Sequence, residues 1–330
     1  MTMQAIHVTQ FGDPSVLQLA TVPRPTAKDN QVLVKLTYSG VNFNDYMERS
    51  DFYRHPGAPA KELPFILGEE GVGIVKEVGE QVTDLQPGQR VGFLWHHTKS
   101  YAQYSVVPEN HLFPIPDDIT DEVAVALMHP GITARTLLYE YKPLNSEVAV
   151  LITGATGSIG SILVQWASQL KAQVIATVSS SAKVEQAKQL GASVVIDISS
   201  QSLVEEVKKV RSGRGVDLAL DAVGGEGFYE VFDSLAVRGT VVPYGVAGGK
   251  YPSLNPLDLV DRSRVVAGLM LFNFMDTKEA LLKSINTVFE AYRNGWIEPK
   301  IAKVFPLKQA ADAHRFLENR GSVGTILLKI

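Results

Sequence analysis

The sequence predicts an α/β protein with a doubly wound parallel sheet and a second, β-rich domain, and three observations lead to this fold class. The chain has 330 residues, 45% of them hydrophobic, which is enough to form the cores of two domains. From about residue 124, apolar strand-length segments alternate with helix-length segments, which is typical of a parallel sheet covered by helices. Residues 1 to about 120 instead contain short β-type segments broken by Gly and Pro, as in a small barrel.

The elements are expected in a definite order along the chain. In the first domain, β-type segments occupy residues 31–42, 71–79, 89–95 and 102–108. In the second, strands are predicted at 148–153, 173–178, 193–197, 216–223 and 240–245. Helices are predicted between them at 158–170, 182–190, 201–211 and 225–236.

The last part of the chain is predicted to return to the first domain. A long amphipathic helix is expected at 278–294, followed by a strand at 300–305, a helix at 308–318 and a final strand at 324–330. We therefore predict a barrel domain made of residues 1–123 with 272–330, and a parallel-sheet domain made of residues 124–271.

Composition excludes several classes of function. The net charge of −4 and the lack of any long Lys/Arg block argue against a nucleic-acid partner. The first twenty residues do not have the pattern of a signal peptide, and no apolar segment reaches the roughly 18 residues that span a bilayer, so no membrane partner is expected. The chain has no cysteine, which excludes disulfides, thiolate nucleophiles and cysteine-ligated zinc and is consistent with a cytoplasmic protein.

A glycine-rich segment, Thr153 to Gly160, links the first strand of the parallel sheet to its first helix. In such a turn Gly157 allows the backbone to approach a pyrophosphate, Gly160 allows the helix to pack against the sheet, and the helix N-terminus attracts anions. The turn therefore predicts dinucleotide binding. The alternative is an α/β domain that binds no nucleotide, which the strand–turn–helix context disfavours.

The end of the second strand indicates which dinucleotide is bound. A site for NAD usually has a carboxylate here to hold the ribose 2′-hydroxyl. This chain has Ser179, Ser180 and Ser181 followed by Lys183, with no carboxylate before Glu185. Hydroxyls and an ammonium group suit a 2′-phosphate, so NADPH is the expected cofactor. The alternative is that the serines cap the following helix.

Two classes of dehydrogenase have a turn of this kind. Short-chain dehydrogenases need a Tyr-x-x-x-Lys motif for catalysis, but none of the 11 tyrosines is followed by Lys at that spacing. The segment Gly68 to Gly92, GEEGVGIVKEVGEQVTDLQPGQRVG, instead resembles the medium-chain dehydrogenase/reductase signature. Segments 39–53, 191–197, 213–225 and 320–330 are similar to its zinc-free quinone oxidoreductase branch. This resemblance covers residues 3–330 and implies a Rossmann domain plus a GroES-like barrel.

The zinc ligands of the alcohol dehydrogenases in this superfamily have no counterparts here. The positions that look equivalent hold Asn42, Glu69 and Pro130, and one further carboxylate does not complete a metal site. His96 and His97 are adjacent and are expected to point in different directions, so we predict two ordinary barrel or loop histidines. No metal is expected.

By this resemblance the reaction is direct hydride transfer to a quinone or an α,β-unsaturated carbonyl. The resemblance implies that Asn42 positions the reactants and that Tyr46 and Tyr53 are hydrogen-bond donors; the alternative for each tyrosine is that it only packs the barrel. Asp45 is expected to fix the loop through backbone hydrogen bonds. The cofactor is expected to contact Asn42, Thr133, Thr156, Gly157, Ser158, Ile159, Ser180, Lys183, Gly245, Val246, Phe272 and Asn273.

Three positions depart from the pattern of the branch. Ile198 stands where relatives often have a tyrosine, and Gly268 stands where several have an arginine. Tyr46 lies one residue earlier than the usual aromatic. The main prediction is an NADPH:quinone reductase. An enone or enoyl-thioester reductase and a non-catalytic NADPH-binding protein are the alternatives.

The apolar segment 265–274, VVAGLMLFNF, is longer than the interior edge of one sheet requires. We expect it to form an edge strand that pairs across a two-fold axis, which gives a homodimer.

Overall fold

The structure, a computed structural model, describes residues 1–52, 62–319 and 323–330. It divides into two compact units: Met1–His129 with Met275–Lys283 and Pro299–Ile330, and Pro130–Phe274 with Ser284–Glu298. The division points differ from the domain limits expected from the sequence, because two long helices, Asp121–Tyr139 and Lys278–Arg293, continue through them. None of the helices in the described ranges is long and apolar enough to span a bilayer.

The first unit begins with a β-rich region. Its elements up to the first long helix are β1 Thr2–Val8, β2 Leu17–Pro23, β3 Gln31–Val41, α1 Phe43–Ser50, β4 Phe65–Ile66, β5 Glu70–Val78, β6 Arg90–Leu94, β7 Tyr104–Pro108, β8 Leu112–Pro114 and α2 Asp121–Tyr139. Strands β2, β1 and β4 form a small antiparallel sheet in that order. The β-type segments predicted between residues 31 and 108 are confirmed as β3, β5, β6 and β7.

The second unit contains the parallel sheet. Its elements are β9 Ala149–Ile152, α3 Ser158–Gln169, β10 Gln173–Val178, α4 Val184–Gln189, β11 Val194–Asp197, α5 Leu203–Val210, β12 Val216–Asp221, α6 Gly227–Asp233, β13 Leu235–Pro243 and β14 Val265–Val266. The strand order is β11-β10-β9-β12-β13-β14, and all the pairs are parallel. The predicted alternation of strands and helices is confirmed, and the turns that follow β9 and β12 lie at the same, carboxyl edge of the sheet.

The last elements are α7 Lys278–Arg293, β15 Ile301–Pro306, α8 Ala310–Glu318 and β16 Thr325–Lys329. Strand β16 pairs with β3 and extends the larger sheet of the first unit, whose order is β15-β16-β3-β5-β6-β8, with β7 also on β3. The apolar segment 265–274 differs from its prediction. Only Val265–Val266 form a strand, and the chain turns at Leu271–Phe274, where Tyr141 contacts Phe274.

The register of the larger sheet positions the residues that matter for function. Ser39 of β3 pairs with Gly71 of β5, and Glu70 of β5 pairs with Leu94 of β6. The end of β3, the start of β5 and the end of β6 therefore lie side by side. The residues that follow β3 and β6 come next to the Glu69–Glu70 pair.

Candidate active site

Asn42 lies where β3 gives way to α1, and a buried carboxylate holds its side chain. Its Nδ2 donates to Glu70 Oε1 at 2.7 Å, and its backbone N–H donates to Asp45 Oδ2 at 2.8 Å. The Asp45 contact confirms the expected role of that carboxylate in fixing the loop. Asn42 is thus held by two carboxylates, with Glu70 bound to its side-chain amide and Asp45 bound to its backbone N–H.

Glu70 is fully buried beneath Asn42. Its second oxygen, Oε2, accepts a hydrogen bond from the backbone N–H of His129 at 3.1 Å. Gly40 makes room for this carboxylate, since a β-carbon there would lie 1.9 Å from Glu70 Oε1. Burial raises the pKa of Glu70 to about 7, against the lowering effect of its hydrogen bonds to Asn42 and His129. The side chain therefore takes up a proton near neutral pH.

We expect Glu70→Gln to flatten the dependence of stability on pH. A carboxyl whose pKa is raised by folding stabilises the folded state fully below its ordinary pKa, and this contribution is lost as the pH rises through about 7. Between pH 4.5 and pH 8 the wild-type unfolding free energy should lose roughly 3 kcal/mol more than that of the variant. Urea unfolding across this pH range measures the difference. Glu80→Gln, at an exposed position on the turn after β5, is the control, and equal slopes for wild type and Glu70→Gln would contradict the prediction.

Glu69 precedes β5 and takes part in a second set of contacts. Asn44 Nδ2 donates to Glu69 Oε2 at 3.3 Å, and His96 Nδ1 lies 3.4 Å from Glu69 Oε1. Burial raises the pKa of Glu69, but the hydrogen bonds and positive charge of its neighbours, His96 first among them, outweigh burial and lower the pKa overall. Glu69 is therefore ionised near neutral pH beside an imidazole.

A buried polar network anchors α1 from its other side. Tyr101 Oη donates to Asp45 Oδ2 at 3.2 Å and lies 3.1 Å from His314 Nε2, while Arg49 Nη1 lies 3.1 Å from His314 Nδ1. Arg49 also donates to Glu318 Oε1 at 2.8 Å. Burial and the adjacent Arg49 charge lower the pKa of His314 to about 3, so this imidazole is neutral and can link a donor to an acceptor.

Tyr46 lies on the half-buried face of α1. Its ring contacts Phe43 and Phe52, with centroid distances of 4.9 and 5.8 Å, and the Arg49 guanidinium carbon lies 5.4 Å from its centroid. Within the part of the chain that the structure describes, its hydroxyl has no hydrogen-bond partner. Tyr53, the other predicted donor, lies outside the described residues.

The glycine-rich turn of the second unit joins β9 to α3. Gly154 has a φ of +61°, and Gly157 N donates back to Gly154 O at 2.9 Å. Gly160 packs directly on this turn, because a β-carbon there would lie 2.2 Å from Gly154 O. No side chain caps α3, and its first intrahelical bond runs from Ser161 N to Gly157 O, so the amides of residues 158–160 point out of the helix start.

Asp221, at the end of β12, ties this turn to the neighbouring one. Its Oδ1 accepts from Thr153 Oγ1 at 2.6 Å and from Val223 N at 3.0 Å, and its Oδ2 accepts from Gly224 N at 3.1 Å. Thr153 Oγ1 in turn accepts from Ala222 N at 2.9 Å. One buried carboxylate therefore fixes the turns that follow two adjacent strands.

The end of β10 leads into the serine-rich segment. Ser180 precedes a short 3-10 turn, Ser181–Lys183, and its side chain makes no capping hydrogen bond to that turn. The alternative that Ser180 caps the following helix is therefore not supported by its hydrogen bonds. Its hydroxyl and the half-buried Lys183 follow the strand next to the glycine-rich turn.

Comparison with known proteins adds to this geometry. A family model for the alcohol dehydrogenase GroES-like domain matches residues 28–117, and one for the zinc-binding dehydrogenases matches residues 158–287. A 2-haloacrylate reductase of a Burkholderia species is 33% identical over 99% of both chains, and a quinone oxidoreductase of Pseudomonas aeruginosa is 32% identical over 98% of both. The structure of Escherichia coli quinone oxidoreductase complexed with NADPH has a TM-score of 0.94 at 30% identity and covers 99% of this chain and 100% of its own.

The chain belongs to the zinc-free quinone oxidoreductase branch of the medium-chain dehydrogenases/reductases. The three positions that hold catalytic zinc in the zinc-dependent enzymes are occupied differently in this chain. Asn42 is bonded to Glu70, Glu69 is bonded to Asn44 and His96, and Pro130 offers no ligand atom. Across the described ranges, no group of three or more His, Cys, Asp or Glu side chains is arranged to hold a metal ion.

The remaining predicted cofactor residues of this chain lie in the second unit. Thr133 is buried in α2, and Thr156 is buried in the glycine-rich turn beside half-buried Ser158 and Ile159. Gly245 and Val246 follow β13, where a β-carbon on Gly245 would lie 2.7 Å from Ala222 O. Phe272 is buried and Asn273 exposed in the turn Leu271–Phe274.

The placement of Phe272 and Asn273 differs from what the sequence predicts. They are expected to belong to the barrel domain, but the structure assigns them to the unit that carries the glycine-rich turn. The reason is local, since Tyr141 Oη donates to Gly268 O at 2.7 Å and the Tyr141 ring contacts Phe274. These contacts fix the whole segment on the second unit.

Sequence reasoning missed several residues that organise the site. It gave no role to Asp221, Tyr101 or His314, and it treated His96 as an ordinary loop or barrel histidine. One signal was available for Glu69 and Glu70. Two consecutive carboxylates begin a strand that is otherwise apolar and glycine-rich, and such charges need partners when they are buried.

Proposed function

We propose that this chain is an NADPH-dependent reductase that transfers a hydride to a quinone or to a related conjugated carbonyl compound. The observation that supports it best is the combination of the Asn42–Glu70 pair with a glycine-rich turn built for a dinucleotide. The named relatives agree, since they include quinone oxidoreductases and one solved in complex with NADPH.

The residues present fit the cofactor. Gly160 keeps the helix against the turn, and no side chain caps the helix start, so a pyrophosphate can accept hydrogen bonds from the amides near Ser158 and Ile159. Ser180 and Lys183 supply a hydroxyl and an ammonium group for the 2′-phosphate. We assign Thr133, Gly245, Val246, Phe272 and Asn273 to the nicotinamide half by family resemblance.

When bound, NADPH supplies the hydride. Asn42 then acts as a fixed amide, because Glu70 and Asp45 hold it and its orientation needs no adjustment during the reaction. Tyr46 donates a hydrogen bond to the acceptor oxygen, on which negative charge develops. Tyr53 is the second candidate for that donation.

The experiment that tests the function is NADPH and NADH oxidation against a panel of quinones, enones, haloacrylates and enoyl thioesters, with and without chelator. Chelator-insensitive oxidation of NADPH by quinones supports the main proposal. Turnover confined to activated alkenes would assign the enone-type activity, which the 2-haloacrylate reductase relative favours. Tight NADPH binding without turnover on any acceptor would mean a binding protein instead.

Reversing the charge of Lys183 tests the cofactor assignment. We expect Lys183→Glu to weaken NADPH binding about 10- to 100-fold, the equivalent of one charge-assisted hydrogen bond, and to leave NADH binding unchanged. Fluorescence titration with the two cofactors measures both constants. Lys188→Glu, on the exposed side of α4, is the matched control, and an equal loss for both cofactors would contradict the assignment.

We also propose a cytoplasmic homodimer. Val265 and Val266 of β14 are 46% and 36% exposed at the edge of the parallel sheet, where a second copy can pair with them. Light scattering at micromolar concentration decides the oligomeric state, and a monomeric mass would reject the dimer. The cytoplasmic location rests on the lack of cysteine.

A further inference from the structure

The proposed hydride transfer leaves a negative charge on the acceptor oxygen, and the reaction ends only when that oxygen gains a proton. We propose that His96, oriented by Glu69, is the proton donor of this reaction. The inference rests on the proposed function and adds to it a residue pair that neither the family resemblance nor the hydride step requires.

The first argument is the geometry of the pair. His96 Nδ1 lies 3.4 Å from Glu69 Oε1, and Asn44 Nδ2 holds the other carboxylate oxygen at 3.3 Å. Glu69 is buried, whereas 39% of the His96 side chain is exposed. A carboxylate on Nδ1 selects the tautomer with its proton on that atom, as in other carboxylate–imidazole pairs used for proton transfer.

The second argument is position. Glu69 and Glu70 are consecutive, and the start of α1 contacts both, Glu70 through Asn42 and Glu69 through Asn44. Glu69, which orients the proton donor His96, and Asn42, which positions the reactants, are therefore held by the same two segments, the start of β5 and the start of α1. Glu69 also lines a cavity of about 130 Å³ together with Glu48 and Lys99, which is room for several water molecules.

The third argument is that three other histidines of the first unit are held neutral. Burial and the Lys278 charge lower the pKa of His111 to about 4, and burial with the Arg49 charge lowers that of His314 to about 3. Burial also lowers the pKa of His129. An imidazole in these positions does not carry a proton to deliver near neutral pH, whereas His96 faces an ionised carboxylate.

The charged and titratable groups around the pair come from several elements. Helix α1 contributes Asp45 and Glu48, β5 contributes Glu70, and α2 contributes His129. His97 follows β6, and His111 immediately precedes β8. Lys278 acts on His111 behind the stacked Trp95 ring, which lies 3.6 Å from the His111 ring.

The proton step balances with the hydride step. The hydride brings two electrons to the quinone and leaves an oxyanion. The Nε2–H bond of the His96 imidazolium breaks, its electron pair stays on Nε2, and a new O–H bond completes the hydroquinone. Water then returns a proton to Nε2. Glu69 stays ionised throughout and stabilises the imidazolium.

The experiment compares wild type with His96→Ala, Glu69→Gln and His97→Ala as purified proteins, with NADPH and the best quinone from the panel. The readouts are kcat from pH 5 to 9, the solvent deuterium isotope effect, the NADPH dissociation constant and the thermal midpoint. His97 is the matched control, because it is adjacent and exposed and lines the same cavity, but among the described residues only His96 forms an ion pair with Glu69.

We expect His96→Ala to lower kcat about 100-fold while the NADPH dissociation constant and the thermal midpoint stay at wild-type values. Free imidazole should restore part of the activity. Wild-type kcat should fall as the pH rises, because the acid must be protonated. Glu69→Gln should lower kcat as well, because the imidazole has lost the carboxylate that orients it.

A His96→Ala protein with wild-type kcat, pH profile and isotope effect would overturn the proposal, as would a loss that His97→Ala shares or that imidazole does not restore. These outcomes require a wild type that oxidises NADPH. If the wild type reduces no acceptor in the panel, the proposed function itself fails, so the two failures are distinguishable.

Discussion

Replacing Gly160 by alanine is expected to weaken NADPH binding severely. The added β-carbon would lie 2.2 Å from Gly154 O, 2.9 Å from Gly154 C and 3.0 Å from Ala155 Cα, all backbone atoms of the turn. Backbone cannot swing aside as a side chain can, so α3 must move away from the turn that receives the pyrophosphate. We expect at least a ~100-fold loss of NADPH affinity and a decrease of about 2 kcal/mol in the free energy of unfolding.

Fluorescence titration with NADPH and thermal unfolding without it measure the two effects of Gly160→Ala. Gly227→Ala is the control, because Gly227 also lies in the first turn of a helix of the parallel-sheet unit, but a β-carbon there would have no neighbouring atom within 4 Å. The control variant should bind NADPH normally. Normal NADPH binding by Gly160→Ala would show that the turn is not where the pyrophosphate lies.

Replacing Arg49 by methionine is expected to cause the largest loss of stability among single substitutions near the site. The side chain is 1% exposed, donates to Gly12 O at 3.1 Å and to Glu318 Oε1 at 2.8 Å, and contacts His314. Methionine has similar length but leaves these partners unpaired. Because Glu318 is 31% exposed and regains some hydration, we expect a loss near the low end for broken buried ion pairs, about 3 kcal/mol.

The matched control for Arg49 is Arg315→Met, which lies on α8 in the turn next to His314. Arg315 pairs with Asp312 at 2.7 Å, but both side chains are about half exposed. An exposed pair of this kind contributes less than about 1 kcal/mol. Urea unfolding of the two variants should therefore give clearly separate midpoints, and a similar small change in both would mean that the Arg49 network contributes little.

The parts of this protein that could be predicted from its sequence are those fixed by local patterns. The turn from Thr153 to Gly160 was predictable because strand, glycines and helix follow one another within a few residues. The same holds for the alternation that gives strands β9 to β13. Asp45 was also predictable, because it contacts a backbone N–H only three residues away.

The remaining contacts depend on strand register and on residues far apart in the chain. Asn42 meets Glu70 only because β3 pairs with β5 in one register, and Tyr101 meets His314 across 213 positions. No periodicity signals such pairs. Segment 265–274 shows the converse error, since its apolar composition suggested a long strand, whereas tertiary contacts of Tyr141 bend it into a turn.

The clamp formed by Asp221 has a consequence for the energetics of cofactor binding. Its carboxylate holds Thr153, Val223 and Gly224 in place without any help from a ligand. The turns that bind the cofactor are therefore ordered before it binds, so little conformational entropy is lost on binding. The favourable free energy of each contact is then not offset by the cost of ordering a loop. The amides of Val223 and Gly224, which donate to Asp221, should accordingly be slow to exchange with solvent deuterium even in the free protein.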